Sequence, residues 1–207
     1  FTPITVLVKG ALTLVGSPKG GFDSMEKFLA AARANPGKYQ FGSTENTTRM
    51  VGELFRVKSG LKIENVAYKG AAPMMQELLG GHIPVGFTSP LTAMSHHRNG
   101  TLRMLAVTSE KRLEVLPDVP TMAEAGVQGV DRPAWFALLG PGNLPPELAK
   151  RVQVDVAAVL AEAETLAKVR DLASEPGGEP PDAFAQRIKE ELVVWRDTAK
   201  AAGIEPE

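Results

Sequence analysis

Ser43, Thr44, Asn46, Thr47 and Thr48 place four hydroxyls and a carboxamide within six residues, just behind Gly42. Such a cluster carries no nucleophile–base pair, but it is a dense set of neutral hydrogen-bond donors. If a helix starts here, its first turn adds unpaired backbone N–H groups and the positive end of the helix dipole. Together these can hold a carboxylate or a similar anion without a lysine or arginine. An ordinary N-cap explains the same residues, because Ser, Thr and Asn are preferred at helix starts in any case. On local sequence both readings stand.

The flanking residues supply the elements that would position the cluster. Tyr39-Gln40-Phe41 alternates like a strand end. Met50, Val51, Leu54 and Phe55 recur at helical spacing behind Asn46. The stretch therefore reads as strand, short turn and helix. Related units surround it. Ile4–Val8 and Ala11–Val15 read as strands, and Asp23 or Ser24 caps a helix that ends at Asn35-Pro36-Gly37. Lys62–Ala67 predicts a strand, followed by a helix from about Ala72 with Pro73 in its first turn. Gly80-Gly81 stops that helix. Ile83–Phe87 is a short strand before a helix at Thr88-Ser89-Pro90, and Leu102–Val107 is the next strand. Thr121 and Glu124 have capping-box spacing over a brief turn.

Alternating strands and helices predict an α/β fold with a parallel or mixed sheet covered on both faces. Ligands of such sheets lie beyond the carboxyl ends of the strands. The turns at 42–48, 68–72 and 88–91 are expected to converge on one such rim. Beyond Gly126 the texture changes. Trp135–Leu139 is one more strand. Helical blocks follow around Leu148–Leu160 and Phe184–Ala199, with a weaker helix at 163–173. About one strand is in reach of these amphipathic faces, so this region reads as part of a domain whose sheet is mostly elsewhere.

Other side chains offer little chemistry. His96 and His97 are adjacent and face different sides of a helix, a poor metal pair. His82 reads as solvated. Glu45, Glu53 and Glu77 are isolated carboxylates, expected on solvated faces or at caps. Met74 and Met75 read as core. Lys69 at its turn, and Arg132 just ahead of the Trp135 strand, are either anion contacts or plain surface cations. P-loop, G-x-G-x-x-G and G-x-S-x-G patterns are absent, and catalysis is disfavoured. The 207 residues carry 23 basic and 24 acidic side chains, a net charge of −1. No global field favours nucleic acid. Cysteine is absent, which suits a periplasmic or a cytoplasmic setting. A chain that opens at Phe1 is expected to derive from a longer precursor.

Four segments carry a wider resemblance: FTPITVLV, VAYKGAAPMMQELLGGHIPVGF, LRMLAVTSEKRLEVLPDVPTMAEAG and WFALLGPGNLPPEL. Over essentially the whole chain they resemble the substrate-binding receptors of tripartite tricarboxylate transporters, the Bug family. The resemblance implies a type II periplasmic-binding-protein fold, with a small organic acid held between two lobes. It implies a periplasmic location, membrane permease subunits as partners, no cofactor, no metal and no catalysis. A ligand-sensing role on a signalling partner is the alternative.

Residues 1–11 would then be an inter-lobe crossing strand and 12–130 the second lobe. Residues 131–207 would be the return strand and C-terminal helices of the first lobe. Ligand contacts would come from Gly42, Ser43, Thr44, Asn46, Thr47 and Thr48, with Ser89, Arg132 and Trp135 as more distal contacts. About a hundred residues of the first lobe, a domain-sized piece, would precede Phe1. The chain alone would then self-associate through its C-terminal helices or keep a separately cleaved segment. Two departures from the family pattern bear on the ligand. The loop is shorter and carries Glu45, which would repel an anion, and Thr88 stands where an aspartate is common.

Overall fold

The computed structural model describes residues 1–204. These residues form β1 (Thr2–Gly10), β2 (Thr13–Gly16), α1 (Met25–Ala34), β3 (Gln40–Ser43), α2 (Asn46–Ser59), β4 (Glu64–Ala67), α3 (Ala71–Gly80), β5 (Val85–Thr88), α4 (Pro90–Arg98) and β6 (Arg103–Val107). They continue through β7 (Ala134–Gly140), α5 (Pro146–Leu160), α6 (Ala163–Asp171), β8 (Ser174–Pro176) and α7 (Pro181–Ala202). The chain divides into two compact units. Phe1–Gly10 and Ala134–Asp197 form unit 1. Ala11–Pro133 and, among the described residues, 198–204 form unit 2.

Unit 2 is built on a five-stranded mixed sheet of order β4-β3-β5-β2-β6. β3 runs parallel to both β4 and β5, while β2 is antiparallel to β5 and β6. Successive residues of a strand point to opposite faces, and β3 uses both. The Phe41 side chain meets α2 at Gly52, where any Cβ would strike its ring. The next residue, Gly42, leaves the opposite face open to Met74 of α3, whose Sδ would lie 2.8 Å from an added Cβ. Gly86 on β5 receives the same methionine. Two glycines on neighbouring strands thus form the trough in which α3 sits.

On the first face Phe28 stacks on Phe55 at 6.4 Å between centroids. Phe87 meets Phe55 at 5.8 Å and Phe41 at 6.0 Å, both edge-on. All four rings are fully buried. A side chain of this size contributes about 1.5–3 kcal/mol on burial, and edge-to-face geometry adds to that.

Caps fix the helix ends. Ser24 caps α1 by accepting from the Lys27 N–H at 3.2 Å, and Asp23 instead pairs with the Lys27 ammonium at 2.7 Å. α2 and α3 stop at Gly60 (φ 68) and Gly81 (φ 77), in a left-handed conformation that costs glycine little. Thr121 and Glu124 cap each other's backbone N–H groups at 2.8 and 3.1 Å. Glu53, expected on a solvated face, is buried instead. Its carboxylate takes a 2.6 Å hydrogen bond from Arg56, one turn along the same helix.

Unit 1 has a three-stranded antiparallel sheet, β7-β1-β8, with α5, α6 and the first part of α7. The sequence offered these helices about one strand. The structure gives three, because β1 extends over nine residues as the central strand and β8 forms at 174–176. The helix read through 163–173 stops at Asp171, and Ala173 turns the chain at φ +51. β8 escapes pattern reading because three residues carry no periodicity. It is held by the following turn, where the Gly177 and Gly178 N–H groups bond the Leu7 and Val6 carbonyls. Glu179 continues that clasp. It accepts two 2.8 Å hydrogen bonds from Arg187 and lies 3.7 Å from the Lys9 ammonium.

Candidate functional site

The parallel run β4-β3-β5 brings three strand ends, Ala67, Ser43 and Thr88, to one edge of unit 2. A helix begins just beyond each, so the starts of α3, α2 and α4 share that edge. This is the converging rim that the alternation of elements predicts.

The three helix starts are finished differently. α4 is capped by Ser89, whose hydroxyl accepts from the Thr92 N–H and lies 2.9 Å from the Thr92 hydroxyl. α2 is capped by Glu45, which forms a capping box with Thr48. The Thr48 hydroxyl accepts from the Thr44 and Glu45 N–H groups at 2.9 and 3.1 Å and donates to the Glu45 carbonyl at 2.9 Å. It is buried and fully committed. α3 starts behind Gly70 (φ 102) without any side-chain cap. Its Ala71 and Ala72 N–H groups are the orphan donors every helix leaves at its start. Gly70, Ala71 and Ala72 also present little bulk. Lys69 is exposed beside them.

The residues singled out in the sequence therefore separate. Thr47 and Asn46 are exposed, and their side chains have no hydrogen-bond partner among the described residues. Thr44 is half-buried, 3.5 Å from the Thr48 hydroxyl. Ser43 is buried, with its hydroxyl accepting from the Asn65 amide at 2.7 Å and its carbonyl from the Tyr68 N–H at 2.8 Å. Gly42 is buried in the α3 trough. Arg132 belongs to unit 2; one guanidinium nitrogen donates to the Asp131 carbonyl, and its Nε is buried without a partner. Trp135 belongs to unit 1, where its indole N–H donates to Glu191 at 2.8 Å and its ring stands edge-on to Phe184. At the open α3 start the sequence reading names only Lys69 as a candidate anion contact. The signal for the open start was present: a Gly-Ala-Ala-Pro start with no Ser, Thr, Asn or Asp to cap it.

Burial raises the Tyr68 phenol above its usual value, assisted by the Glu77 carboxylate, so this side chain at the rim stays neutral. His97 is buried. Its Nδ1 accepts from the Met104 N–H and its Nε2–H donates to Asp118, so both ring nitrogens are occupied within the fold. Among the described residues no cluster of His, Asp and Glu is arranged for a metal, and no helix is long and apolar enough to cross a membrane. A groove of about 600 Å³ lies between α1 and the turn at 120–126. Of its three acids, Asp23 and Glu124 are already paired, with Lys27 and Arg112, and Glu26 is the third.

A mixed α/β unit with three helix starts at one edge of its parallel strands is an arrangement that places a ligand at that edge. Over residues 1–203 the chain matches the tripartite tricarboxylate transporter family receptor model, and it belongs to that family. It is 28% identical to the protein BugT of Bordetella pertussis, over 98% of this chain and 63% of that protein. The chain thus spans less than two thirds of the length of this curated relative. Among solved structures it is similar to R. palustris Rpa4515 with adipate, at 32% identity and a TM-score of 0.82, covering 100% of this chain and 70% of that one. A structure described as a periplasmic transporter matches at 30% identity and a TM-score of 0.80, covering 99% and 69%.

Proposed function

We propose that the chain is the larger part of a periplasmic receptor that binds a small organic acid and delivers it to the membrane permease subunits of a tripartite tricarboxylate transporter. It performs no chemistry on that ligand. The observation that carries this reading is the rim of unit 2: three helix starts on one edge, with the α3 start uncapped and the Thr47 hydroxyl free. A carboxylate there is met by the Ala71 and Ala72 N–H groups, Lys69 and Thr47. The adipate of the R. palustris relative supports a carboxylate as the ligand class. Thr44 and Asn46 border the same place. Ser43, Thr48 and Gly42 shape the loop from beneath.

Unit 1 fits this reading as part of a first lobe, with β1 as the strand that crosses into unit 2. Its exposed apolar side chains are covered in the receptor by additional residues of that lobe, or in their absence by a second copy of the chain.

Isothermal titration calorimetry against a panel of organic acids tests the proposal. At least one acid is expected to bind. Thr47→Ala removes one hydrogen bond to a charged group, about 1.5–3 kcal/mol, and weakens that acid roughly ten- to a hundredfold. Failure of every acid to bind contradicts the function. Binding that Thr47→Ala leaves unchanged removes this loop from the site.

A further inference from the structure

β3 and β4 pair in register, Ser43 with Ala67. Beyond these paired ends stand Glu45, at the N-cap of α2, and Lys69, in the turn before α3. Both are exposed, and they make no ion pair with each other or with any other residue among those described. Glu45 holds the N-cap of α2 with extended backbone (φ −157, ψ 171) and shares a capping box with Thr48. A negative charge thus already satisfies the α2 start, whereas the α3 start beside Lys69 is open. The rim presents one anionic place and one place for an anion, side by side.

We propose that Glu45 is a specificity-determining residue, and that the ligand pairs one carboxylate, at the Lys69 and α3 side, with a hydrogen-bond donor such as an ammonium or primary amide at Glu45. The inference rests on the organic-acid reading above and narrows it. A dicarboxylate would set its second anion near Glu45, and like charges at short range repel. A donor-bearing end would instead form a charge-assisted hydrogen bond with the same carboxylate. The N-cap role does not by itself require an acid, because Asn, Ser and Thr cap as well or better.

Three six-carbon probes that differ at one end test this in the full-length protein by calorimetry: adipate, its monoamide, and 6-aminohexanoate. In the native protein the monoamide and 6-aminohexanoate are expected to bind about tenfold or more tighter than adipate. Glu45→Gln keeps the size and removes the charge. It should strengthen adipate about tenfold and weaken 6-aminohexanoate. Glu45→Asp keeps the charge and should keep the order of the three. Adipate binding tightest to the native protein, or an order of affinities that Glu45→Gln leaves unchanged, overturns the proposal while leaving the organic-acid reading intact. No binding of any probe to either protein overturns the proposal, while the wider acid panel decides the organic-acid reading.

Discussion

Unit 2 buries Phe28, Phe41, Phe55 and Phe87 completely, whereas in unit 1 Phe136 is 69% exposed and Leu192 is 63% exposed. The contrast extends to whole strands. β2 and β5 are buried at every residue, as expected for strands covered on both faces. β7 has a single buried residue, Gly140. The helices follow suit. α1 and α2 bury continuous apolar faces, while α5 leaves Leu148, Val154 and Val159 exposed and α7 leaves Leu192 and Val193. The same kind of amphipathic helix thus appears in two conditions. In unit 2 its apolar face meets a five-stranded sheet, and in unit 1 a three-stranded sheet leaves part of that face uncovered.

The largest effect should separate the units by truncation. Phe55→Ala removes a ring packed against two others and should cost about 3–5 kcal/mol in denaturant unfolding. Leu192→Ala, at an exposed position, should stay within about 0.5 kcal/mol. Comparable losses at both sites would break the comparison.

A second effect concerns association. Phe136→Ser with Leu192→Lys should shift light scattering of the chain toward monomer, because exposed apolar patches of this kind find partners. A native chain that is already monodisperse and monomeric would show that the exposed faces need no cover.

The smallest effect is a pH dependence confined to unit 1. The Arg187 hydrogen bonds hold the Glu179 carboxyl below its ordinary value of 4.5, against the opposing effect of burial and with help from Lys9. A depressed folded value stabilises the protein above the unfolded value, and that contribution is lost as pH falls through the folded value. Glu179→Gln should therefore destabilise near neutrality by about 1 kcal/mol, at the upper end for a solvent-reached pair. The difference from the native protein should vanish below the ordinary carboxylate range. A difference that persists at low pH would assign the effect to packing.

Much of unit 2 was legible in the sequence because its signals are local. Ser24, Gly60 and Gly81 mark helix ends at the residues themselves, and Phe41 and Phe55 fall on strand and helix periods. The rim was legible because strand and helix alternation fixes which turns share an edge. Unit 1 was less so. β8 is held by backbone bonds between Gly177-Gly178 and β1, residues some 170 positions apart. Glu53 looked solvated because sequence spacing shows its Arg56 partner but not that the fold buries this position of α2. At the candidate site the hydroxyl cluster was visible, but the division of labour within it was not. Ser43 and Thr48 are taken up by Asn65 and Glu45, and only the fold distinguishes them from Thr47.

Hydrogen exchange read residue by residue, with and without the tightest of the six-carbon acids, tests the central claim most directly. The account predicts slowed exchange at Asn46, Thr47, Ala71 and Ala72, where the helix starts face the ligand. Protection that leaves all four of these amides unchanged while the acid is bound would contradict it.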